Sequence, residues 1–453
     1  MIFKNKIRFS TTQIILLSFL AAVFAGSVLL SLPISSASGE AVPYLDALFT
    51  ATTSTCVTGL VTLPTVSTWS VFGQVVILLL IQIGGLGIVT IMSGLMILLN
   101  QKLSIRDHLL IQDAFNLNTM SGLAKFIKNV LFGTLTIEGI GALLYMFVFV
   151  PQFGAKGVWV SVFTAVSAFC NAGIDIIGEN SLCDYSTNPI INIVTSALII
   201  LGGIGYIVWW DVLRVLKTKT AKSKKIFRYL TLHSKIAITA TLALIFIGAV
   251  LIFVFEYTNP LTIGNMSLFD KIQVSLFQSV TTRTAGFASV PQENLTNASS
   301  LVSLLFMMIG GSPVGTAGGM KTVTIVVLFC STIATIKNKS SATIFGRCIS
   351  SDSIRKAVAV SVTFISICFT STVLLMAVSD VSALDVIYEV VSATATVGLS
   401  RNFTSSLNVL GKIIVIATMY LGRVGPISLA VAVGSKNESQ NVISEPTEEI
   451  SIG

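Results

Sequence analysis

The chain has 453 residues, of which 53% are hydrophobic and only 11% are Asp, Glu, Lys or Arg; its formal net charge is +8 and its mean hydropathy +0.88. A soluble domain carries roughly 25% charged residues, so this chain lacks the charge to cover a water-facing surface. A soluble enzyme, a nucleic-acid-binding domain and a disordered hub are excluded, and a polytopic membrane protein remains.

Apolar runs recur at 11–32, 72–99, 127–151, 190–213, 236–257, 301–336, 357–379 and 411–434. Each suffices for a helix of about 20 residues, enough to cross a bilayer. The first follows Lys4, Lys6 and Arg8 as a signal peptide would, but the repeat described below requires it as a structural helix. Basic residues collect after the second run (Lys102, Arg106, Lys125, Lys128). More follow the fourth (Arg214, Lys217, Lys219, Lys222, Lys224, Lys225, Arg228, Lys235) and the sixth (Lys337, Lys339, Arg347, Arg355, Lys356). The positive-inside rule puts these segments in the cytoplasm with the N-terminus. The segments near 33–71, 152–189, 258–300 and 380–410 are poorer in Lys and Arg, carry Glu40, Asp46, Asp175, Glu179, Asp184 and Glu293, and should face outward. Eight crossings return the short acidic tail (Glu438, Glu445, Glu448, Glu449) to the cytoplasm. Cys56, Cys170, Cys183, Cys330, Cys348 and Cys368 form no CxxC pair, and His108 and His233 are the only histidines. Neither a metal knuckle nor a disulfide framework is expected.

Each outer segment opens on a weakly polar stretch suited to a half-helix and then reaches a small-residue motif containing glycine. The motifs read LFTATTSTCVTGL (48–60), VFTAVSAFCNAGI (162–174), LFQSVTTRTAGF (276–287) and IYEVVSATATVGL (387–399). Their glycines, Gly59, Gly173, Gly286 and Gly398, are spaced 114, 113 and 112 residues apart, a period that marks internal duplication. A second echo lies in the following helix: LIQIGGLGI (80–88), LIILGGIGY (198–206), MMIGGSPVG (307–315) and MYLGRVGP (419–426). The unit is helix, re-entrant half-helix with loop, helix. The units occupy 1–100, 101–218 with a basic linker, 219–340 and 341–435, followed by the tail 436–453. Two crossings per unit make the repeats parallel, and parallel repeats can close about an axis along the membrane normal. The expected fold is an all-α integral membrane protein with four such repeats around a central pseudo-fourfold pore.

Irregular backbone at membrane depth survives only where it is buried or lines a watery cavity. There its carbonyls can replace the water shell of a K⁺ or Na⁺ ion. Glycine permits the positive φ that turns carbonyls toward an axis, Thr and Ser add oxygens, and half-helix C-termini favour a cation. No motif carries an acidic ring, which argues against a divalent-selective filter. The competing explanation, small residues packing helices, is weakened by four evenly spaced copies. Arg283 either braces its loop from behind or faces the pore and opposes conduction.

The sixth run would make a helix of about 54 Å at about 1.5 Å per residue, against a hydrocarbon core of about 30 Å. GGSPVGTAGGM (310–320) is where it should break, because Gly310, Gly311, Ser312, Pro313, Gly315, Thr316, Gly318 and Gly319 hold a helix poorly. The break is either a gate below the filter or a plain kink, with Lys321 as an anchor. Arg423, expected mid-run in the eighth helix where the other echoes have glycine, needs a cavity or a partner. It forms either a barrier to cations or a salt bridge.

The fourfold unit, the motifs TCVTG, FCNAG, TRTAGF and TATVG, the stretch GGSPVGTAGGMK and the segment LGRVGP resemble the Ktr/Trk/HKT superfamily of potassium transporters over about residues 11–434. The short ends look closest to the Ktr membrane subunit. The resemblance implies K⁺ uptake at the plasma membrane, in the Ktr branch often Na⁺-stimulated, by a homodimer whose protomers each hold a pore. It also implies a cytoplasmic ring of nucleotide-binding regulatory subunits. Filter roles carry over to Val57, Thr58, Gly59, Asn171, Ala172, Gly173, Thr284, Ala285, Gly286, Thr396, Val397 and Gly398. The gate role carries over to Gly310–Gly319 and the barrier role to Arg423. K⁺ is then substrate, Na⁺ an activator, and no cofactor is expected in this chain. The alternative is a coupled K⁺/Na⁺ or K⁺/H⁺ symporter using Glu138 of the third run. GID at 173–175 faintly resembles an intramembrane aspartyl protease motif without its second aspartate, so the chain is read as not an enzyme. The GG-x-G echoes, expected inside apolar helices, are not phosphate loops.

Overall fold

The computed structural model describes residues 11–99, 109–110, 122–217 and 226–425. Lys4, Lys6, Arg8, Lys102, Arg106, His108, Lys219, Lys222, Lys224, Lys225, the end of the eighth run and the acidic tail lie outside the described residues. What is described is almost wholly helical, with one small antiparallel ribbon, β1 (Thr343–Ile344) with β2 (Arg347–Cys348).

In four successive passes of the chain a long helix is followed by a shorter one and then by one or more further helices. The first pass is α1 (Thr11–Leu30), α2 (Tyr44–Thr55), the single turn α3 (Thr65–Thr68), α4 (Val71–Leu86) and α5 (Ile88–Leu98). The second is α6 (Leu123–Phe153), α7 (Ala155–Cys170), α8 (Pro189–Gly203) and α9 (Tyr206–Lys217). After the short α10 (Ile226–Tyr229) come α11 (Leu232–Glu256), α12 (Leu268–Thr281), α13 (Asn297–Met308) and α14 (Thr322–Ile336). The last pass is α15 (Ser351–Ala377), α16 (Ala383–Ala395) and α17 (Val409–Val424).

Local chemistry sets these boundaries. Pro151 and Gly154, the latter at φ +60°, stop α6 and turn the chain back into α7. Ser267 and Ser382 cap α12 and α16 by accepting the Asp270 and Asp385 N–H groups, with each aspartate in the first turn where the helix dipole favours it. Ser70, Asn188, Thr296 and Asn408 cap α4, α8, α13 and α17 in the same way.

Among the described residues, four helices are long and apolar enough to cross a bilayer unaided: Gln13–Leu30, Leu123–Phe153, Leu232–Glu256 and Ser351–Ala377. Phe246 and Phe369 are 71% and 70% exposed on two of them, as expected of surfaces meeting lipid. The second and fourth runs, expected as single crossings, are bent pairs. Both α4–α5 and α8–α9 turn by 94°. The turn falls at Gly87 (φ +83°) and Gly205 (φ +94°), so the last glycine of these echoes breaks the helix and does not lie within it. The sixth run stops at Met308 and resumes at Thr322. In the eighth, Arg423 lies in the last turn of α17, just before Gly425 (φ +90°).

Successive passes are stitched side by side. Trp159 Nε1 donates to Gln74 Oε1 at 2.8 Å, the Leu182 amide to the Ala288 carbonyl at 3.0 Å, and Tyr388 Oη to Gln292 Oε1 at 3.0 Å. The last pass meets the first: Lys412 Nζ pairs with Asp46 Oδ1 at 2.5 Å, and Tyr420 Oη donates to the Leu16 carbonyl at 2.8 Å. The Lys412–Asp46 pair is largely shielded from water, and Asp46 also accepts from Thr62 Oγ1 at 2.9 Å. Lys412→Met should therefore cost about 1–2 kcal/mol, between the values of exposed and buried pairs. A lowered thermal midpoint of the detergent-solubilised protein checks this.

Candidate functional site

The helices α2, α7, α12 and α16 all end at the glycine motifs, and the backbone beyond each does the same thing. Val57, Asn171, Thr284 and Thr396 take φ of +55°, +60°, +64° and +51°, and Gly59, Gly173, Gly286 and Gly398 are again positive two residues on. Non-glycine residues rarely adopt this conformation, so four at matching positions mark a geometry the surroundings enforce. Side-chain oxygens brace it. The Gly59 amide donates to Thr53 Oγ1 and the Gly398 amide to Ser392 Oγ, both at 3.0 Å, while Thr281 Oγ1 donates to the Phe287 carbonyl at 2.7 Å. With its amide oriented to donate, Asn171 Nδ2 reaches the Ile199 and Ala168 carbonyls at 3.3 and 3.1 Å.

The glycines meet one another. A Cβ on Gly286 would lie 3.1 Å from the Gly173 Cα and 3.2 Å from the Gly398 Cα; one on Gly398 would lie 2.9 Å from the Gly59 Cα. Cβ atoms on Gly59, Gly173, Gly286 and Gly398 would also run into the carbonyl oxygens of Ala172, Ala285, Val397 and Thr58 respectively. Each motif thus abuts a carbonyl of the next, and the fourth abuts the first. The hydroxyls of Thr58 and Thr396 are buried there without a hydrogen-bond partner among the described residues.

On one side of these glycines opens a cavity of about 430 Å³ whose wall carries Asp175, Glu179 and Glu293 and no Lys or Arg. Burial pushes the Asp175 carboxyl up to about 6, against the bond it accepts from the Ile177 amide. On the other side a cavity of about 840 Å³ is lined by Gly84, Tyr206, Gly318, Gly319, Lys321 and Arg423.

Segment 310–321 lies between the motifs and this second cavity and is tied on several sides. The Ser312 and Thr316 amides donate to the Gly203 and Gly202 carbonyls at 2.8 and 3.1 Å, and the Tyr206 amide to the Val314 carbonyl at 2.9 Å. Thr316 Oγ1 donates to the Phe169 carbonyl, and Thr284 Oγ1 accepts from the Gly318 amide, both at 3.0 Å. A Cβ on Gly318 would strike Thr396 and Ala395. Lys321 Nζ turns back onto the Ala317 carbonyl at 2.6 Å. Ser312 Oγ meets Thr322 Oγ1 at 3.0 Å, and Pro313 lines the second cavity.

Two arginines complete the set. Arg423 donates through Nη1 to the Thr316 carbonyl at 2.8 Å and through Nη2 to the Gly84 carbonyl at 2.5 Å. Its partners are carbonyls, and no ion pair to it occurs among the described residues. Arg283 is buried behind its motif, where Nη2 donates to Gly310 O at 3.3 Å and Thr241 Oγ1 at 3.4 Å.

Sequence reasoning missed two kinds of residue. One is the bend glycines, whose signal was a third glycine following each GG pair. The other is Glu389, buried inside α16, whose carboxylate accepts from Ser400 Oγ at 2.7 Å and Thr404 Oγ1 at 2.5 Å. An acid within an otherwise small and apolar motif was its signal.

The helical architecture with irregular backbone meeting at its centre defines an integral membrane transport protein. The TrkH cation transport protein family matches residues 4–445. The chain is 38% identical over 452 residues to the potassium/sodium uptake protein NtpJ of Enterococcus hirae, covering 98% of each. It is 38% identical over 437 residues to the Ktr system potassium uptake protein B of Bacillus subtilis, covering 96% of this chain and 95% of that one. In three dimensions it matches the potassium transporter TrkH of Vibrio parahaemolyticus with a TM-score of 0.76 at 16% identity, over 96% of this chain and 87% of the other. The chain belongs to the TrkH/Ktr family of cation transport proteins.

Thr284→Val would leave the buried Gly318 amide unpaired, a penalty of about 1–3 kcal/mol. Amide exchange across 316–320, followed by mass spectrometry, should quicken by about tenfold, the rate equivalent of such a loss.

Proposed function

We propose that this chain takes up potassium across the plasma membrane through a pore centred on the four glycine motifs. The observation that carries this is their abutment: strained backbone from four passes of the chain meets at one place, and each glycine borders a carbonyl of its neighbour. Carbonyls so presented can stand in for an ion's water shell. The filter residues are Val57, Thr58, Gly59, Asn171, Ala172, Gly173, Thr284, Ala285, Gly286, Thr396, Val397 and Gly398. The segment from Gly310 to Gly319 is the gate, with Lys321 and Arg423 holding it. A membrane potential of 100 mV supplies about 2.3 kcal/mol per charge, so accumulation needs no ATP hydrolysis by this chain. The curated relatives, a potassium/sodium and a potassium uptake protein, support the substrate. A homodimer with cytoplasmic termini, Na⁺ stimulation and a nucleotide-binding regulatory ring belong to the same reading. Obligate symport through Glu138 is not favoured, because that carboxyl is buried behind the second motif and bonded to Gln82.

Uptake of ⁸⁶Rb⁺ into proteoliposomes tests this. Wild-type protein should accumulate the ion down an imposed potential. Gly286→Ser forces a side chain at φ +83° against the Val397 carbonyl and should either weaken uptake or admit Na⁺. Deleting 312–318 should raise flux if that stretch is the gate. Absence of flux in both wild type and deletion would sink the pore assignment.

The outer cavity adds a pH dependence. Asp175 is charged above about 6 and neutral below, so its attraction for cations fades as outside pH falls through that value. Uptake at limiting Rb⁺ should drop between pH 7 and pH 5, and Asp175→Asn should flatten that step.

A further inference from the structure

We propose that Glu138 and Gln82 form a back-anchor that positions the second motif, and with it ion selectivity; this rests on the filter reading above. Glu138 lies within α6 and is 4% exposed. A carboxyl at that depth is costly unless it is bonded. No cation pairs with it among the described residues. Its partner is Gln82 of α4, whose Nε2 donates to Glu138 Oε2 at 3.0 Å. That bond joins the first pass of the chain to the second.

Both side chains converge on Cys170. Its thiol lies 3.3 Å from Gln82 Oε1 and 3.8 Å from Glu138 Oε1, so one proton has two acceptors. The backbone closes in as well. A Cβ on Gly85 would come within 2.6 Å of the Cys170 Sγ, so α4 passes directly against this side chain. Cys170 is the last residue of α7. Asn171, at φ +60°, follows it, and Ala172, whose carbonyl borders Gly59, comes next. A shift of Cys170 is passed through the left-handed Asn171 to that carbonyl.

The matching position in the other motifs supports this role. Cys170 corresponds to Cys56, Arg283 and Ala395, each directly before the left-handed residue. Arg283 is likewise held from behind by polar partners, Thr241 and the Gly310 carbonyl. Two of the four motifs therefore carry a polar anchor at one shared position, built from different chemistry. Glu138 acts through Gln82 and Cys170 and touches no ion; it is a positioning residue.

The test compares Rb⁺ and Na⁺ flux in proteoliposomes for wild type, Glu138→Gln, Glu138→Leu and Gln82→Leu. A carboxamide can still accept from Gln82, so Glu138→Gln should keep the wild-type Rb⁺/Na⁺ ratio with no dependence on a proton gradient. Glu138→Leu and Gln82→Leu each remove the bond, and each should lower the ratio by about fivefold, the equivalent of one lost hydrogen bond. Should Glu138→Leu fail to fold, Gln82→Leu, on a different helix and half-buried, carries the test alone. The proposal is overturned if Glu138→Gln abolishes uptake or makes it depend on a proton gradient, since the carboxyl would then be a coupling group. It is equally overturned if folded Gln82→Leu keeps the wild-type ratio. Absence of flux in wild type, with and without residues 312–318, would overturn the filter reading and this proposal together.

Discussion

A backbone that leaves its helix in the middle of a bilayer must find new partners for its amides and carbonyls. Much of the buried polar chemistry of this protein answers that need. Hydroxyls of Thr53 and Ser392 take the amides of Gly59 and Gly398, and the Phe287 carbonyl takes the hydroxyl of Thr281. With those amides bonded on the helix side, a carbonyl of each motif is left beside the glycine of its neighbour. The abundance of buried Thr and Ser in α2, α7, α12 and α16 follows from this constraint, as does the need for glycine where the four motifs touch.

The same constraint binds the 310–321 segment to the motifs. With α13 ended at Met308, the segment has lost its helical bonds. It recovers them from Gly202, Gly203, Phe169, Thr284 and, through Arg423, from Gly84. The Gly84, Gly202 and Gly203 carbonyls among these acceptors exist only because α4 and α8 end at or near glycines of the echo. Broken helices thus supply partners for one another. Arg423 needs no acid beside it because the Thr316 carbonyl of this segment and the Gly84 carbonyl in the last turn of α4 accept its N–H groups.

Composition and period made the membrane class, the apolar runs, the half-helices and the four motifs legible. The 36-residue sixth run was too long to cross straight, so its break was legible too. The 94° turns were not, because a GG pair in an apolar run is compatible with a packed helix, and only the positive φ of Gly87 and Gly205 separates the two. Arg283 and Arg423 stood out as misplaced charges, yet their partners are main-chain carbonyls and, for Arg283, the Thr241 hydroxyl as well, which no residue pattern discloses. Glu389 passed unnoticed because its partners, Ser400 and Thr404, lie beyond the motif glycine, at 11 and 15 residues' remove.

The contacts joining the two ends of the chain bear on how the protein is made. Lys412 meets Asp46 across 366 residues, and Arg423 meets Gly84 across 339. Synthesis proceeds from the N-terminus, so the Gly84 carbonyl and the Asp46 carboxylate go without these partners until α17 emerges. Until then the first pass lacks the contacts that the fourth makes to it. A chain cut short before residue 409 would leave a carboxylate and a carbonyl of the first pass without the cations that meet them in the finished protein.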